Sequence, residues 1–334
     1  MLLSEPVQAI ADSAIPTLPA ALDRIELSRR LEIFSLPPWR WGDVRDVQIR
    51  VLRFHRGQRC TMELVMRTTT GVHTLIGKLY AQDDGLAIYE AMERISQVGF
   101  GPEAEFSIPK PLALLPALHL LLQERVPGPP AEDVFLMATE RSRIAAAERC
   151  ARWLARFHAV APKAGPVFSL NNYLSSLERW SRRIEELGEP LAGKARRLFH
   201  RLELASAALG PVEMCAGHGS YKPAQVILAN GRTVTCDWDS YDVADPCRDV
   251  ARFIVGLQRV AFKYLGSIRA LDAVAEVFLR TYQALSPFEV ATNLSWYRAL
   301  TCLRLSKYEA NRPVCTFREG IEALLGEGLR VLER

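Results

Sequence analysis

Between residues 218 and 249 the sequence gathers groups that chemistry can use. His218, Ser220, Lys222 and Gln225 fall within eight residues, HGSYKPAQ, and Asp237, Asp239, Asp242, Asp245 and Asp249 follow in CDWDSYDVADPCRD. A hydroxyl, an ammonium, an amide and repeated carboxylates are groups that phosphoryl transfer from a nucleoside triphosphate employs. That reaction needs a lysine for the donor phosphates, an acid to orient the lysine, and a carboxylate with a second oxygen ligand for Mg²⁺. As a rule it also uses a carboxylate to take the proton of the attacking hydroxyl. Asp239 stands two residues after Asp237, which in an extended segment puts both carboxylates on one face. Taken singly, the same aspartates are turn formers, helix caps or ion-pair partners, so the elements that position them decide.

Those elements change character along the chain. Leu18 to Phe34 has helical spacing, with Leu22, Ile25, Leu31 and Phe34 on one face, and the prolines of SLPPWRWGDV end it. From Val44 to Tyr80 three strands, VQIRVLRFH, RCTMELVMRTT and TLIGKLYA, are joined by the glycine-bearing turns RGQ and TGVH, which predicts an antiparallel meander. Lys78 alternates with the apolar Ile76 on the third strand. Asp83 to Val98 is helical, with Leu86, Tyr89, Met92 and Ile95 in register and Asp83 or Asp84 as its cap. IPKPLALLPALHLLLQERV gives two more strands around Pro116. After PGPP the chain turns helical. ERSRIAAAERCARWLARFHAV carries Ile144, Ala147, Cys150, Ala151, Leu154 and Phe157 on one side. AQVILAN and RTVTCDWD form a small hairpin around NGR, and helices resume from Asp245. Strands first, a Pro/Gly hinge, then helices interrupted by one hairpin predict an α+β chain of two lobes. The expected division is a helical segment at 1–43, an antiparallel sheet lobe at 44–126 and a mainly helical lobe at 127–334.

Bulk properties narrow the classes. The chain has 334 residues, which suits one large bilobed domain or two modest ones. Lys and Arg exceed Asp and Glu only by 42 to 38, so composition gives no push toward nucleic acid. The seven cysteines, Cys60, Cys150, Cys215, Cys236, Cys247, Cys302 and Cys315, are odd in number and scattered, with no CxxC pair. They are expected as buried free thiols in a reducing compartment, with no zinc cluster. The N-terminus has no basic region followed by a long apolar run, and the most apolar stretch, Pro111 to Val126, is broken by Pro116 and His119. A soluble, cytoplasmic protein with no membrane partner is expected.

The segment HGSYKPAQVILANGRTVTCDWDSYDVADPCRDVARF resembles the catalytic segment of the aminoglycoside phosphotransferase and choline kinase superfamily. That superfamily has a protein kinase-like fold. Its pattern runs HGDxxxxN, a hairpin, a carboxylate–aromatic–carboxylate triplet and GDPxxDLA. The likeness is strong over His218 to Phe253, fair over Val44 to Tyr80 and around the hinge, and general elsewhere. It implies ATP and Mg²⁺ as cofactors, with the nucleotide held between the lobes and a small-molecule acceptor. By the same resemblance His218 opens the catalytic loop and Asp237 is the Mg²⁺ ligand, with Asp239 in support or in contact with substrate. Lys78 holds the phosphates with Glu90 as its ion-pair partner, Glu93 being the alternative. Gln123, Glu124, Arg125 and Val126 are the hinge where adenine meets backbone groups. Asp245-Pro246 reads as an N-cap with proline at the first helical position, and Asp249 as a support for the loop.

Two positions depart from the pattern. Ser220 stands where the family has its catalytic aspartate, and Gln225 where it has a metal-binding asparagine. Glutamine keeps an amide oxygen one methylene further out. A serine hydroxyl cannot replace a carboxylate as base near neutral pH, and losing such a base costs about 10²–10⁴-fold. Lys222 stands two residues after the base position, as the catalytic-loop lysine does in protein kinases, where it would stabilise the transferred group. Three readings therefore compete. The first is an ATP-dependent phosphotransferase of a small hydroxyl-bearing molecule, with Asp239, Asp242 or no group as base. The second is a pseudokinase-like nucleotide-binding or regulatory module. The third is an unrelated helical binding protein.

Overall fold

In the computed structural model, which describes residues 11–210, 212–310 and 317–333, the meander forms as its turn chemistry dictates. Strands β1 (Val44–His55), β2 (Arg59–Thr68) and β3 (Val72–Tyr80) pair antiparallel. A two-residue strand β4 (Phe106–Ser107) precedes β5 (Pro111–Leu115) and β6 (Leu120–Glu124), and the five-stranded sheet runs β1-β2-β3-β6-β5. Alternation sorts its residues. Met62, Leu64, Met66, Leu75, Leu79, Leu120 and Leu122 enter one hydrophobic core, which α1 (Leu18–Leu22) and α2 (Arg24–Leu31) complete with Leu18, Leu22, Leu27 and Leu31. Lys78, paired in register with Thr61 and Leu121, lies with Ile76 on the opposite face.

The N-terminal helix is two helices. Asp23 caps α2 by accepting the amides of Ile25 and Glu26, which breaks the helical phase and leaves Ile25 67% exposed instead of on the buried face expected for it. Helix α3 (Asp84–Ile95) ends earlier than its periodicity suggested, because Gly99 at φ +100° turns the chain out of the helix. Its buried face is Gly85, Ala91, Met92 and Ile95, while Leu86 is exposed, and Asp83 occupies the N-cap position without a side-chain hydrogen bond.

The chain divides into two compact units, one ending at Pro127 and the other beginning at Gly128. The second opens with α4 (Ala131–Met137) and α5 (Glu140–Val160), whose first turn Thr139 caps. Helices α6 (Leu170–Glu185) and α7 (Leu191–Ser206) follow, then strand β7 (Cys215–Gly217), the hairpin β8 (Val226–Ala229) and β9 (Arg232–Thr235), and β10 (Asp242–Ala244), which pairs with β7. The β7–β10 pair had no periodic signal, since three residues cannot show one. Helices α8 (Cys247–Leu265), α9 (Asp272–Leu285), α10 (Ala291–Ala310) and α11 (Phe317–Val331) complete the unit. On α5 the face shifts slightly: Ile144 is exposed and Trp153 fully buried, beside the expected Ala147, Cys150, Ala151, Leu154 and Phe157. Six cysteines are free, five of them buried, and Cys315 lies outside the described residues. No described helix is long and apolar enough to cross a membrane.

The core of this unit is aromatic. Trp153 stacks on Tyr221 at 5.6 Å, Tyr221 on Phe253 at 5.4 Å, and Phe253 on Phe278 at 4.0 Å. Such stacks add to area burial, and they run from α5 through the 218–225 loop to α8 and α9. Phe253→Ala opens a cavity in the middle of that chain and should cost about 3–5 kcal/mol, read as a fall in the urea unfolding midpoint.

Candidate active site

The loop HGSYKPAQ is fixed from below. Tyr221 is fully buried, and its hydroxyl donates to the Cys150 carbonyl at 2.8 Å. Trp238 is buried too, and its indole N–H donates to the Thr235 carbonyl at 3.0 Å. With these rings turned inward, their neighbours Ser220, Lys222, Asp237 and Asp239 are left half-exposed.

The Asp249 carboxylate on the first turn of α8 accepts the backbone amides of His218 at 2.6 Å and Gly219 at 3.0 Å. Gly219 must be glycine: its φ is +76°, and a Cβ would sit 2.1 Å from the Ser240 carbonyl oxygen. On its other side Asp249 faces His158 Nε2 at 3.5 Å, and His158 Nδ1 lies 2.7 Å from the Tyr282 hydroxyl. Burial alone would push the Asp249 carboxyl up. The His158 hydrogen bond and the charges of Arg248 and His158 reverse this and hold it well below the usual carboxylate range. Burial likewise opposes charging of His158, but the groups around it, Asp249 among them, raise it well above its ordinary value. The two are an ionised buried pair.

His218 is itself buried, and burial lowers its pKa despite the charges of Asp249 and Asp237. Its Nε2 lies 3.0 Å from the Cys236 carbonyl, which fixes that nitrogen as the donor and leaves a lone pair on Nδ1, 3.4 Å from Ser220 Oγ. Expected among the catalytic residues, His218 ties the loop to the hairpin's end and faces the reacting region only through Ser220.

Ser220, Gln225 and Asp237 are brought together. Gln225 Nε2 donates to Asp237 Oδ2 at 2.6 Å and to Ser220 Oγ at 3.2 Å. Asp237 has φ +73°, a left-handed conformation that aspartate tolerates better than most residues. It therefore lies in a turn after β9 and not on a strand. The two carboxylates nevertheless flank the buried Trp238, both half-exposed. Asp242, considered as a substitute base, has both oxygens on the Arg248 guanidinium, a bidentate pair that occupies it. Asp245 accepts the Cys247 amide at 2.8 Å and the Asn293 side chain at 3.2 Å; Pro246 takes the N-cap position, one residue later than expected. Lys222 precedes the single turn Pro223–Gln225.

In the first unit Lys78 is 6% exposed on β3. Glu90, expected to orient it, stands on the solvent face of α3 at 57% exposure, with Arg94 at 3.9 Å as its ion-pair partner. Glu93 accepts from the Tyr89 hydroxyl at 2.9 Å. At the end of β6, Gln123 is buried, and Glu124 accepts the Lys110 amide at 3.0 Å. Arg125 reaches Glu63 at 3.2 Å and the Val126 carbonyl at 2.6 Å. No cluster of three or more His, Cys, Asp or Glu side chains able to hold a metal occurs among the described residues. His158, Tyr221, Trp238 and Arg248 were missed as site residues. Only His158, a polar residue beside the apolar face of a strongly periodic helix, gave a signal that could have been followed.

The sequence model described as the phosphotransferase enzyme family matches residues 64–300. No curated protein sequence matches the chain significantly. Among solved structures, a choline/ethanolamine kinase family protein from Mesorhizobium loti superposes with a TM-score of 0.61 at 16% identity, covering 92% of this chain and 94% of its own. A choline kinase from Streptococcus pneumoniae gives 0.59 at 15% identity, with 92% and 99% covered. A spectinomycin phosphotransferase in complex with ADP and spectinomycin gives 0.58 at 13%, with 93% and 99% covered. The fold of this chain is thus the kinase-like fold of those proteins.

Asp249→Asn removes the charge and leaves one oxygen for two amides, so stability at neutral pH should fall by about 3–5 kcal/mol. The pH dependence has a definite sign. A depressed carboxylate contributes above its unfolded pKa, about 4, and that contribution is lost as pH falls through the folded value. A raised histidine contributes fully below about 6.5, and that contribution is lost as pH rises through its folded value. Urea unfolding of wild type and variant should therefore converge as pH is lowered below about 4. Parallel curves there would contradict the assignment.

Proposed function

The chain belongs to the phosphotransferase enzyme family, and on that premise we propose that it is an ATP-dependent phosphotransferase of a small hydroxyl-bearing molecule, working through a catalytic loop whose acid is replaced by Ser220. The observation that carries this reading is the Gln225–Asp237 contact at 2.6 Å, with Ser220 beside it, on a loop held by a buried charged carboxylate. The donor set suits Mg²⁺, a hard cation that takes one or two protein oxygens and fills its shell with phosphate and water. Asp237 would hold it, and Gln225 would join after a half-turn of its amide exchanges N–H for carbonyl oxygen. Bound there, the ion would screen the charge of the donor phosphates.

The remaining roles fall to the chain's own groups. Lys78, kept from solvent on β3, would bind the donor phosphates, and Gln123, Glu124, Arg125 and Val126 would offer backbone groups to adenine. Lys222 would stabilise the transferred group. Asp239, half-exposed and two residues from Asp237, would serve as base; Asp242 is held by Arg248. A loose transition state makes the missing base a loss of rate and not of reaction, because positioning and charge do most of the work.

One observation favours a second reading, nucleotide binding without transfer: the group at the base position is a hydroxyl. Three substitutions test these readings. Asp237→Asn should abolish the Mg²⁺-dependent tightening of ATP in calorimetry while leaving the unfolding midpoint in place; retention of that tightening would refute the metal assignment. Ser220→Asp should raise the rate with a competent acceptor by about 10²–10⁴-fold if the base is the one missing part. If Asp239 already acts as base, Asp239→Asn is the damaging change and Ser220→Asp adds little. Protein that binds Mg²⁺-ATP, yet gives no transfer as wild type, Ser220→Asp or Asp239→Asn across amino-alcohols, sugars, sugar phosphates and aminoglycosides, is the binding module.

A further inference from the structure

Helix α8 carries Arg248, Arg252 and Arg259 at spacings of four and seven, along one face. Gly256 belongs to the same stripe, and a Cβ there would lie 3.2 Å from Pro223 and 3.5 Å from the Lys222 Cβ. The stripe therefore runs directly against the 218–225 loop, with Arg252 one turn away. Helix α10 packs on both α8 and α6. It adds Arg304, Lys307 and Tyr308, one turn apart, and α6 adds Tyr173 and Trp180. The cations sit on the rings: Arg304 lies 5.2 Å from the Tyr173 ring centre, and Lys307 lies 4.8 Å from that of Trp180 and 4.9 Å from that of Tyr308.

These cations outnumber their acids. Asp242 is taken by Arg248 and Glu309 by Arg259. Arg252 is 8% exposed, and its Nε and Nη1 are buried with no hydrogen-bond partner. A buried guanidinium without partners is costly. The cost is offset when a ligand supplies the missing acceptors, and guanidinium forks match phosphate and carboxylate oxygens. The local field has that sign. Against burial, which raises it, Lys307, Arg304 and Arg252 pull the Tyr308 phenol below its ordinary pKa. Burial and then Arg304 push Arg252 down to about 10.

We propose that this face of α6, α8 and α10 is the acceptor subsite and that it takes an anionic hydroxyl compound, a sugar or polyol bearing a phosphate or carboxylate. Arg252, Arg304 and Lys307 bind the oxyanion, while Tyr173, Trp180 and Tyr308 give the ring or carbon chain its apolar walls. The subsite deepens the phosphotransferase reading and rests on it for what happens to the bound compound; its recognition of anions is tested without nucleotide.

The test is calorimetry of the full chain, free of nucleotide, with inorganic phosphate, glucose 6-phosphate, glucuronate, glucose and choline. Glucose 6-phosphate or glucuronate should bind at least about tenfold more tightly than glucose or choline, and added salt should weaken it. Arg304→Gln and Arg252→Met should each weaken the anion by about tenfold or more and leave ATP binding unchanged. Arg252→Met should also hold or raise the melting temperature, since methionine fills the space without an unpaired charge; a purely structural arginine would lower it. The subsite is overturned if no anion in the panel binds at millimolar concentration, if choline or glucose binds as well, or if both variants keep wild-type anion affinity. Transfer from ATP to a neutral or cationic acceptor, with no anion binding, overturns the subsite and keeps the phosphotransferase. Anion binding in a protein that never binds ATP does the reverse.

Discussion

One buried charge organises the second unit. Taking a carboxylate out of water costs several kcal/mol unless its lone pairs are filled, and Asp249 is filled by the His218 and Gly219 amides and by His158. Each partner carries a consequence. The two amides fix where the chain leaves β7. That exit brings Gly219 against the Ser240 carbonyl, so no side chain fits there. It also turns the His218 ring onto the Cys236 carbonyl, one residue before Asp237. A carboxylate on α8 thus helps set the distance between the loop and the hairpin end, which Gln225 also joins directly through Asp237.

Because the frame hangs on Asp249 and on two buried rings, it does not depend on what occupies position 220. Ser220 makes only long contacts, 3.4 Å to His218 and 3.2 Å to Gln225. Tyr221 and Trp238 make the close ones, and they face inward. The loop can therefore exchange its acid for a hydroxyl without losing its shape. This explains how a departure at the base position coexists with a contact as tight as that of Gln225 and Asp237.

The sheet and the long helices were legible because their periods are long and their turns carry glycine: β1 to β3 and α5 lie where alternation and the 3.6-residue repeat put them. The failures are local. Asp23 resets a helix by capping, which moves Ile25 from buried to exposed while the apolar pattern still reads as continuous. Asp237 leaves the strand with a left-handed conformation that no periodic pattern announces. Glu90 faces solvent beside Arg94 and Glu93 accepts from Tyr89, an arrangement that spacing alone does not report because it carries no information on which way α3 faces. The loop residues were found through the resemblance, since a motif preserves order. Of their restraints, His158 is distant in sequence and polar on an otherwise apolar helix face, and no local pattern reports a partner ninety residues away.

The serine and the basic face bear on each other. A carboxylate at position 220 would add negative charge to a loop that α8 abuts at Lys222 and Pro223. For a cationic acceptor, losing it removes both the base and an attraction. For an anionic acceptor, losing it removes the base and also a repulsion, and like charges in a partly buried site act over several ångströms with little screening. A phosphate monoester has its second pKa near 6, so at neutral pH it is largely ionised and can itself accept a proton from a neighbouring hydroxyl. With such an acceptor the two oddities of this chain have one cause: an arginine, Arg252, whose buried nitrogens wait for an oxyanion, and a loop with no carboxylate to repel it.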